Sequence, residues 1–273
     1  MTTIKTNEVT FPKVVLAPVY FKGNGNMVFQ NVAEKHRAVI NPDTNELYAI
    51  ASNKYRLLPH EECLEITDTF LKKNDFGVVK KHVSLFENGK MKTTYTFEDL
   101  HQDVKTSKKN KGDVINPMFT VRNAYDLTWT YNLEFSGYRV VCSNGLVMPV
   151  SLFQYKHKHY NSLTEDSITH MIMKGLNSFQ DQIETWNKWQ TIATSPYQYE
   201  SIMTGMEFGK KELNGIQEEI EVSSNLRLDD IKVKSLSYWM FFNILMQYIT
   251  HQIAIETRRV TLSERAASLF YKR

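Results

Sequence analysis

The sequence has few of the residues and segments that mark exported or membrane-spanning proteins. It contains only two cysteines, Cys63 and Cys142, which do not form a C-x-x-C pair. This usage predicts a reducing, cytosolic location. The first residues lack the basic and apolar regions of a signal peptide. The most apolar run, residues 239–255, is interrupted by Asn243 and Gln247, and is too short and too polar to span a membrane.

The sequence also lacks the motifs that hold nucleotides, catalytic metals or activated nucleophiles. There is no H-E-x-x-H, G-x-x-x-x-G-K-S/T or G-x-S-x-G pattern, and the acidic residues are not spaced for two metal ions. Gly23-x-Gly25 is followed by neither a third glycine nor Lys-Ser/Thr, which disfavours a phosphate loop. We therefore assign no catalytic residue, no metal and no cofactor. An enzyme with an unrecognised site is kept as an alternative.

Composition and net charge set weaker limits. Apolar residues make up 42% of the chain and charged residues 23%, which is ordinary for a globular protein. The formal net charge of +3 is too small to indicate nucleic-acid binding by itself. Such an argument must rest on where the basic residues cluster.

The stretch 118–147 contains the strongest strand pattern. Apolar residues alternate there with polar ones, as in an antiparallel strand with one buried face. These apolar residues are Trp129, Tyr131, Leu133 and Phe135. A preceding strand at 119–122 is expected to join this one through a hairpin turn at 123–126. Ser136-Gly137 is expected to mark a bulge or tight bend.

Further strands are predicted towards the N-terminus. The segment 76–97 is predicted to form a hairpin around Asn88-Gly89, with a buried face that begins at Met91. The lysine-rich segment 101–113 after it is predicted to be a loop. Shorter strands are predicted at 14–21, 27–32, 37–40 and 47–50.

Helical periodicity appears once in the first half of the chain and dominates the second. Pro59 with two following glutamates predicts a helix over 59–73. A long helix is predicted from Ser162 or Thr164 until Pro196 stops it, and another at 236–256. The stripe of the long helix consists of Ile168, Ile172, Leu176, Phe179, Ile183, Trp186, Gln190 and Ala193.

These elements predict an α+β protein. Its antiparallel sheet would be built from hairpins and packed against long helices, and its C-terminal half would be helical. Residues 1–160 are expected to form a mostly β domain with one helix. Residues 161–273 are expected to form a helical region that packs on it.

Basic residues concentrate in three places, where they could contact phosphates. Arg122 and Arg139 lie beside apolar strand residues, so each is either salt-bridged or directed into a charged groove. Asn144 lies in a Ser-Asn-Gly turn whose amides could hold an anion. The alternating cluster comprises Lys156, His157, Lys158 and His159, and the loop cluster comprises Lys105, Lys108, Lys109 and Lys111. The alternative interpretation of both clusters is a solvated charge run.

Several separate blocks of this sequence resemble one family. They are the R-x-V-C-S-N-G-L element that begins at Arg139, the K-H-K-H segment, and a late helix of the type Ser237-Tyr238-Trp239-x-x-x-Asn243-x-x-x-Gln247-Tyr248-x-x-His251. Together they resemble the phage/plasmid-like family known as domain of unknown function 932, from about Tyr55 onward. The resemblance implies a phage, plasmid or bacterial setting and no particular activity. The order of elements is also similar to that of phage single-strand annealing proteins of the Erf and Rad-fifty-two type.

Two functions follow as hypotheses. The first is a single-stranded DNA-binding protein, an accessory of strand annealing in recombination or replication, that acts as a homo-oligomeric ring or filament in the cytoplasm of a bacterial host. The second is an interaction module that inhibits a host defence or restriction protein. It is motivated by the helix at 238–255, which is apolar nearly all round and needs cover from the core or from a partner.

Overall fold

The computed structural model describes residues 2–21, 30–31, 35–104, 113–139, 146–157, 164–224 and 236–271. Within these residues the strands are β1 (Thr3–Thr6), β2 (Val15–Pro18), β3 (Tyr20–Phe21), β4 (Gln30–Asn31), β5 (His36–Ile40), β6 (Leu47–Ser52), β7 (Val78–Phe86), β8 (Lys90–Phe97), β9 (Gln102–Val104), β10 (Asp113–Ala124), β11 (Tyr131–Arg139) and β12 (Leu146–His157). The α-helices are α1 (His60–Lys73), α2 (Glu165–Thr191), α3 (Pro196–Gly205), α4 (Lys210–Ser224), α5 (Tyr238–Gln252) and α6 (Glu256–Tyr271). The predicted α+β class is confirmed.

The chain forms two compact units, and each is assembled from three segments. The first unit comprises Met1–Leu100, Pro117–Phe135 and Phe153–Leu176. The second comprises His101–Asn116, Ser136–Leu152 and Asn177–Arg273. The segments of the two units alternate along the chain. The boundary expected at residue 160 divides the chain by its content of strands and helices, and it stays a prediction.

The main sheet has the strand order β1-β7-β8-β10-β11-β12, with β9 paired to β10. β7 and β8 form the predicted hairpin, and its turn places Asn88 and Gly89 at φ values of 59° and 64°. β8 pairs antiparallel with β10. β1 runs parallel to β7, a pairing between distant segments that local alternation does not predict.

One face of this sheet forms the core of the first unit. On β8, Met91, Thr93, Tyr95 and Phe97 are all fully buried, as their alternation predicts. Phe119 of β10 stacks on Tyr95 with ring centroids 4.6 Å apart. The predicted helix at 59–73 is confirmed as α1. This helix packs on the same face, as does the start of α2, through Cys63, Leu64, Phe70, Leu71, Ile168 and Ile172.

The second unit has a helical core centred on α5. Ten residues of this helix are buried, among them Trp239, Phe242 and Leu245. They pack with residues of α2, α3, α4 and α6, so the apolar surface of α5 is covered by the unit itself. No described helix is both long enough and apolar enough to cross a membrane.

Several local predictions were wrong. The strand expected to contain Trp129 begins only at Tyr131, and the turn before it covers 125–130 because Asn123 and Ala124 continue β10. β11 runs on through Ser136 and Gly137 without the tight bend that was one of two expectations there, and both residues are buried; the other expectation, a bulge, stays a prediction.

Two segment boundaries also differ from expectation. The long helix ends at Thr191, so Pro196 does not stop it. Pro196 instead lies in the first turn of α3, directly after the Ser195 capping box. Its missing N–H costs nothing there, because the first N–H groups of a helix have no partner within the helix. Both ends of the predicted 101–113 loop are strand, since Gln102–Val104 forms β9 and Asp113 begins β10.

Candidate nucleic-acid interface

The second face of the main sheet carries polar and basic side chains, and we call it the open face. Cross-strand partners share a face. Lys92 therefore shares it with Ser84 on one side and Arg122 on the other, and Thr94 shares it with His82. The pairing of Lys5 with Lys80 extends the open face onto β1. All these residues belong to the first unit.

The open face is positively charged because several of its lysines are not neutralised. Lys5, Lys92 and Lys156 are exposed, and none has a carboxylate partner among the residues that the structure describes. Lys80 is different, since its ammonium pairs with Glu98. Unpaired ammonium groups on a solvent-facing sheet are suited to a polyanion.

A cleft of about 440 Å³ opens on this face. Its lining comes from β10, the turn before β11, β11 itself and β12, and consists of Arg122, Thr128, Trp129, Thr130, Asn132 and Lys156. The cleft thus combines two cations, two hydroxyls, an amide and an indole. Such a lining can contact phosphates, sugars and the flat face of a base.

The turn that carries Trp129 is braced by charge and hydrogen bonds. The carboxylate of Asp126 accepts hydrogen bonds from the Thr128 backbone N–H at 3.0 Å and from its hydroxyl at 2.6 Å. The Lys90 ammonium lies 3.1 Å from the same carboxylate and 5.5 Å from the centroid of the Trp129 ring. Desolvation raises the pKa of Asp126, but hydrogen bonds from Thr128 and Lys90 outweigh it and hold that pKa below its usual range.

The start of the turn is anchored to a buried histidine. The backbone N–H of Tyr125 donates to the Gly89 carbonyl at 3.0 Å, and the backbone N–H of His60 donates to the Tyr125 hydroxyl at 2.8 Å. The two rings stack with centroids 3.9 Å apart. The His60 Nε2 lies 3.2 Å from the Gly89 carbonyl, and Nδ1 lies 3.1 Å from the Asn123 amide nitrogen. These contacts fit the neutral tautomer with its proton on Nε2.

Two cleft residues have their polar groups set by β11. Arg122 Nη1 lies 2.9 Å from Glu134 Oε2, so this arginine forms the salt bridge that was one of its two expected roles. Asn132 is 7% exposed, and its side-chain oxygen has no hydrogen-bond partner among the described residues. A buried amide oxygen without a donor is costly.

The structure brings two of the predicted phosphate-binding residues together, because Arg122 and Lys156 line one cleft. For Arg139 and His157 it describes the backbone alone, at the ends of β11 and β12. The other predicted site residues lie outside the described residues. They are Asn144, Lys158, His159, Lys105, Lys108, Lys109 and Lys111.

Trp129, Lys92 and Lys5 were not predicted from the sequence as candidate site residues. Trp129 was assigned to the buried face because the strand was expected to begin two residues too early. Lys92 could have been found, since it alternates with the buried Met91 and Thr93 and must face solvent. Lys5 lies on a strand that pairs with residues more than seventy positions away, which no local pattern indicates.

Residues 48–270 match the family described as "Domain of unknown function (DUF932)", which agrees with the resemblance seen in the R-x-V-C-S-N-G-L and late-helix blocks. No curated protein and no solved structure matches.

Proposed function

The chain belongs to the DUF932 family, and we propose that it binds single-stranded DNA without sequence preference through the open face of its sheet. One observation carries this proposal: the cleft that joins Arg122 and Lys156 to Trp129 on a face with further unpaired lysines. Cations alone would suit any polyanion. The indole beside them suits a base that is not already stacked in a duplex.

The lysines supply the part of the affinity that does not depend on sequence. Each ammonium that neutralises a phosphate releases condensed counterions, so binding falls steeply as salt rises. Lys5, Lys92 and Lys156 lie on three different strands of the open face. A strand of DNA that crosses the sheet could therefore meet several cations in succession.

Strand annealing is the cellular role that we propose for this binding, in recombination or replication of a phage or plasmid. Its support is the order of helix, hairpin, lysine-rich segment, hairpin and long helix, which is an analogy of architecture. A homo-oligomeric ring or filament is part of this proposal. Mass photometry with and without DNA tests it, and a strict monomer in both conditions would contradict the annealing role.

DNA binding is tested by titrating labelled single-stranded and duplex DNA at two salt concentrations. The Lys92→Ala/Lys156→Ala double variant should bind less tightly to every sequence, and the slope of log affinity against log salt should fall by about 1.4, since each lost contact removes about 0.7. Lys210→Ala, an exposed lysine of α4 in the second unit, is the matched control and should bind normally. Absence of binding by the parent protein at low salt would contradict the proposal.

The four lysines of the loop cluster are proposed as a second contact that captures DNA. Replacing Lys105, Lys108, Lys109 and Lys111 by alanine should weaken binding to all sequences alike and should leave folding intact. An unchanged salt dependence would exclude this cluster from the interface.

Interaction with a host protein is the second candidate function. Its first motivation, the apolar surface of α5, is explained by the core of the second unit. A different observation supports it: a groove of about 610 Å³ between α4 and α5, beside which Val222 is 80% exposed. If this groove binds a partner, Val222→Glu should abolish co-purification of a stoichiometric protein that the parent chain recovers from host lysate. Equal recovery by both chains, or no recovery by the parent, would contradict it.

A further inference from the structure

Trp129 differs from the other three tryptophans of the chain. Trp186, Trp189 and Trp239 are 0%, 7% and 1% exposed and pack among aromatic rings in the core of the second unit. Trp129 is half-buried, belongs to no core cluster of the described residues and lines a cleft with two cations. An indole held in this way has a large flat surface that the hydrophobic core does not use.

The indole is also fixed in place before any ligand arrives. Lys90 lies over the ring, its ammonium is held by Asp126, and Asp126 fixes the backbone of Thr128 next to Trp129. This bracing lowers the entropy that would be lost when a ligand orders the side chain. Because Lys90 covers one face of the indole ring, a ligand must stack on the opposite face.

We propose that the cleft holds one unstacked nucleotide, with its base on the indole of Trp129 and its flanking phosphates on Arg122 and Lys156. This inference rests on the proposed function and adds a base-binding subsite to it. The cleft volume of about 440 Å³ lies in the lower part of the range for small-molecule sites, which suits one nucleotide. Asn132 adds a hydrogen-bonding group for the base that does not select among bases strongly, since an amide both donates and accepts.

The subsite is tested with two strands of equal length, one of oligothymidylate and one with the same backbone but no bases. Both strands carry the same phosphates, but only the first has bases that can stack. The oligothymidylate should bind about 5- to 150-fold more tightly, the range that one stacked base provides, and should quench tryptophan fluorescence. Because the other three tryptophans are buried, the quenching reports on Trp129.

Variants of Trp129 separate stacking from a general effect on the fold. Trp129→Ala should bind the two strands with nearly equal affinity. Trp129→Phe should keep most of the preference, since a phenyl ring also stacks, while the fluorescence change disappears. Lys92→Ala should weaken both strands by the same factor and leave the preference intact. Far-UV circular dichroism and thermal unfolding show whether each variant is folded.

The possible failures are distinguishable. If neither strand binds, the proposed function itself is wrong. If both strands bind equally tightly to the parent protein and neither quenches its fluorescence, DNA binding stands and the base-binding subsite is overturned. A preference that survives unchanged in Trp129→Ala would also overturn it, because some other residue would then hold the base.

Discussion

The two faces of the main sheet differ sharply although they alternate along the same strands. On one face Phe119 pairs with Tyr95, and their stacked rings are fully buried. On the other face the next pair along is Thr120 with Thr94, followed by Arg122 with Lys92. One register therefore assigns core packing to one set of residues and the proposed binding to the neighbouring set. The two properties should be separable by mutating adjacent positions.

The lysines of the two faces differ in the same way. Lys81 lies on the core side of β7 with its side chain 10% exposed, and its ammonium is 2.6 Å from Asp68 Oδ2, while the Tyr95 hydroxyl donates to Oδ1 at 2.7 Å. Lys92 on the open face has no such partner among the described residues. A lysine that is taken out of water requires a carboxylate, whereas a solvated one keeps its charge available for a ligand.

The largest effect is expected for the core face. Phe119→Ala should destabilise the protein by about 3–5 kcal/mol, because it removes a fully buried ring and leaves a cavity among aromatic neighbours. Lys92→Ala, on the partner strand but on the open face, should change stability by no more than about 0.5 kcal/mol. Urea denaturation measures both. Equal losses in the two variants would mean that the faces are not divided as described.

A smaller loss is expected where a helix meets the core face. Gly175 lies in α2. Replacing a glycine in a helix interior by alanine normally stabilises a protein by about 1 kcal/mol. Here an added Cβ would overlap ring atoms of Phe135. Gly175→Ala should therefore destabilise by about 1–3 kcal/mol, the usual cost of overpacking. Asn177→Ala, an exposed position of the same helix, is the control and should show no loss in thermal unfolding.

On the open face, removing a carboxylate should strengthen binding. If DNA binds as proposed, Glu134 would compete with its phosphates for Arg122, which it contacts at 2.9 Å. Glu134→Gln should raise the affinity for single-stranded DNA about 2- to 5-fold at low salt, as expected for loss of one exposed ion pair. Glu184→Gln, on the exposed face of α2, should have no effect. Weaker binding by Glu134→Gln would show that Glu134 orients Arg122 for the ligand.

The smallest effect concerns pH at the turn that carries Trp129. Because the pKa of Asp126 is lower in the folded protein, its interactions contribute stability above the unfolded pKa of about 3.9, and this contribution is lost as pH falls through the lowered folded value. Asp126→Asn lacks it. The stability difference between parent and variant, measured by denaturation, should therefore shrink below about pH 4. A difference that is constant between pH 7 and pH 3 would contradict this assignment.

Elements defined by their own periodicity were predicted well from the sequence, and those defined by distant partners were not. α1, the β7–β8 hairpin and most of the α2 stripe follow from local spacing and turn residues. Pro196 was misjudged because a proline is compatible both with a helix stop and with a helix start. At the candidate site, Arg122 and Lys156 were identified. Trp129 was not identified, because its alternation with Tyr131 and Leu133 placed it in the buried face of the predicted strand, whereas the strand begins two residues later, at Tyr131.

The pairing of β1 with β7 has a practical consequence for shortened forms of the protein. Beyond β1, the Asn7 side chain continues the edge, since its amide donates to the Val83 carbonyl at 3.0 Å and its oxygen accepts from the Val83 N–H at 2.9 Å. The family match begins only at residue 48, so a fragment cut to that region would leave the backbone groups of β7 without these partners. Phe86, at the end of the same strand, is already 51% exposed. Such a fragment would be prone to self-association and precipitation, and expression designs should retain the first seven residues.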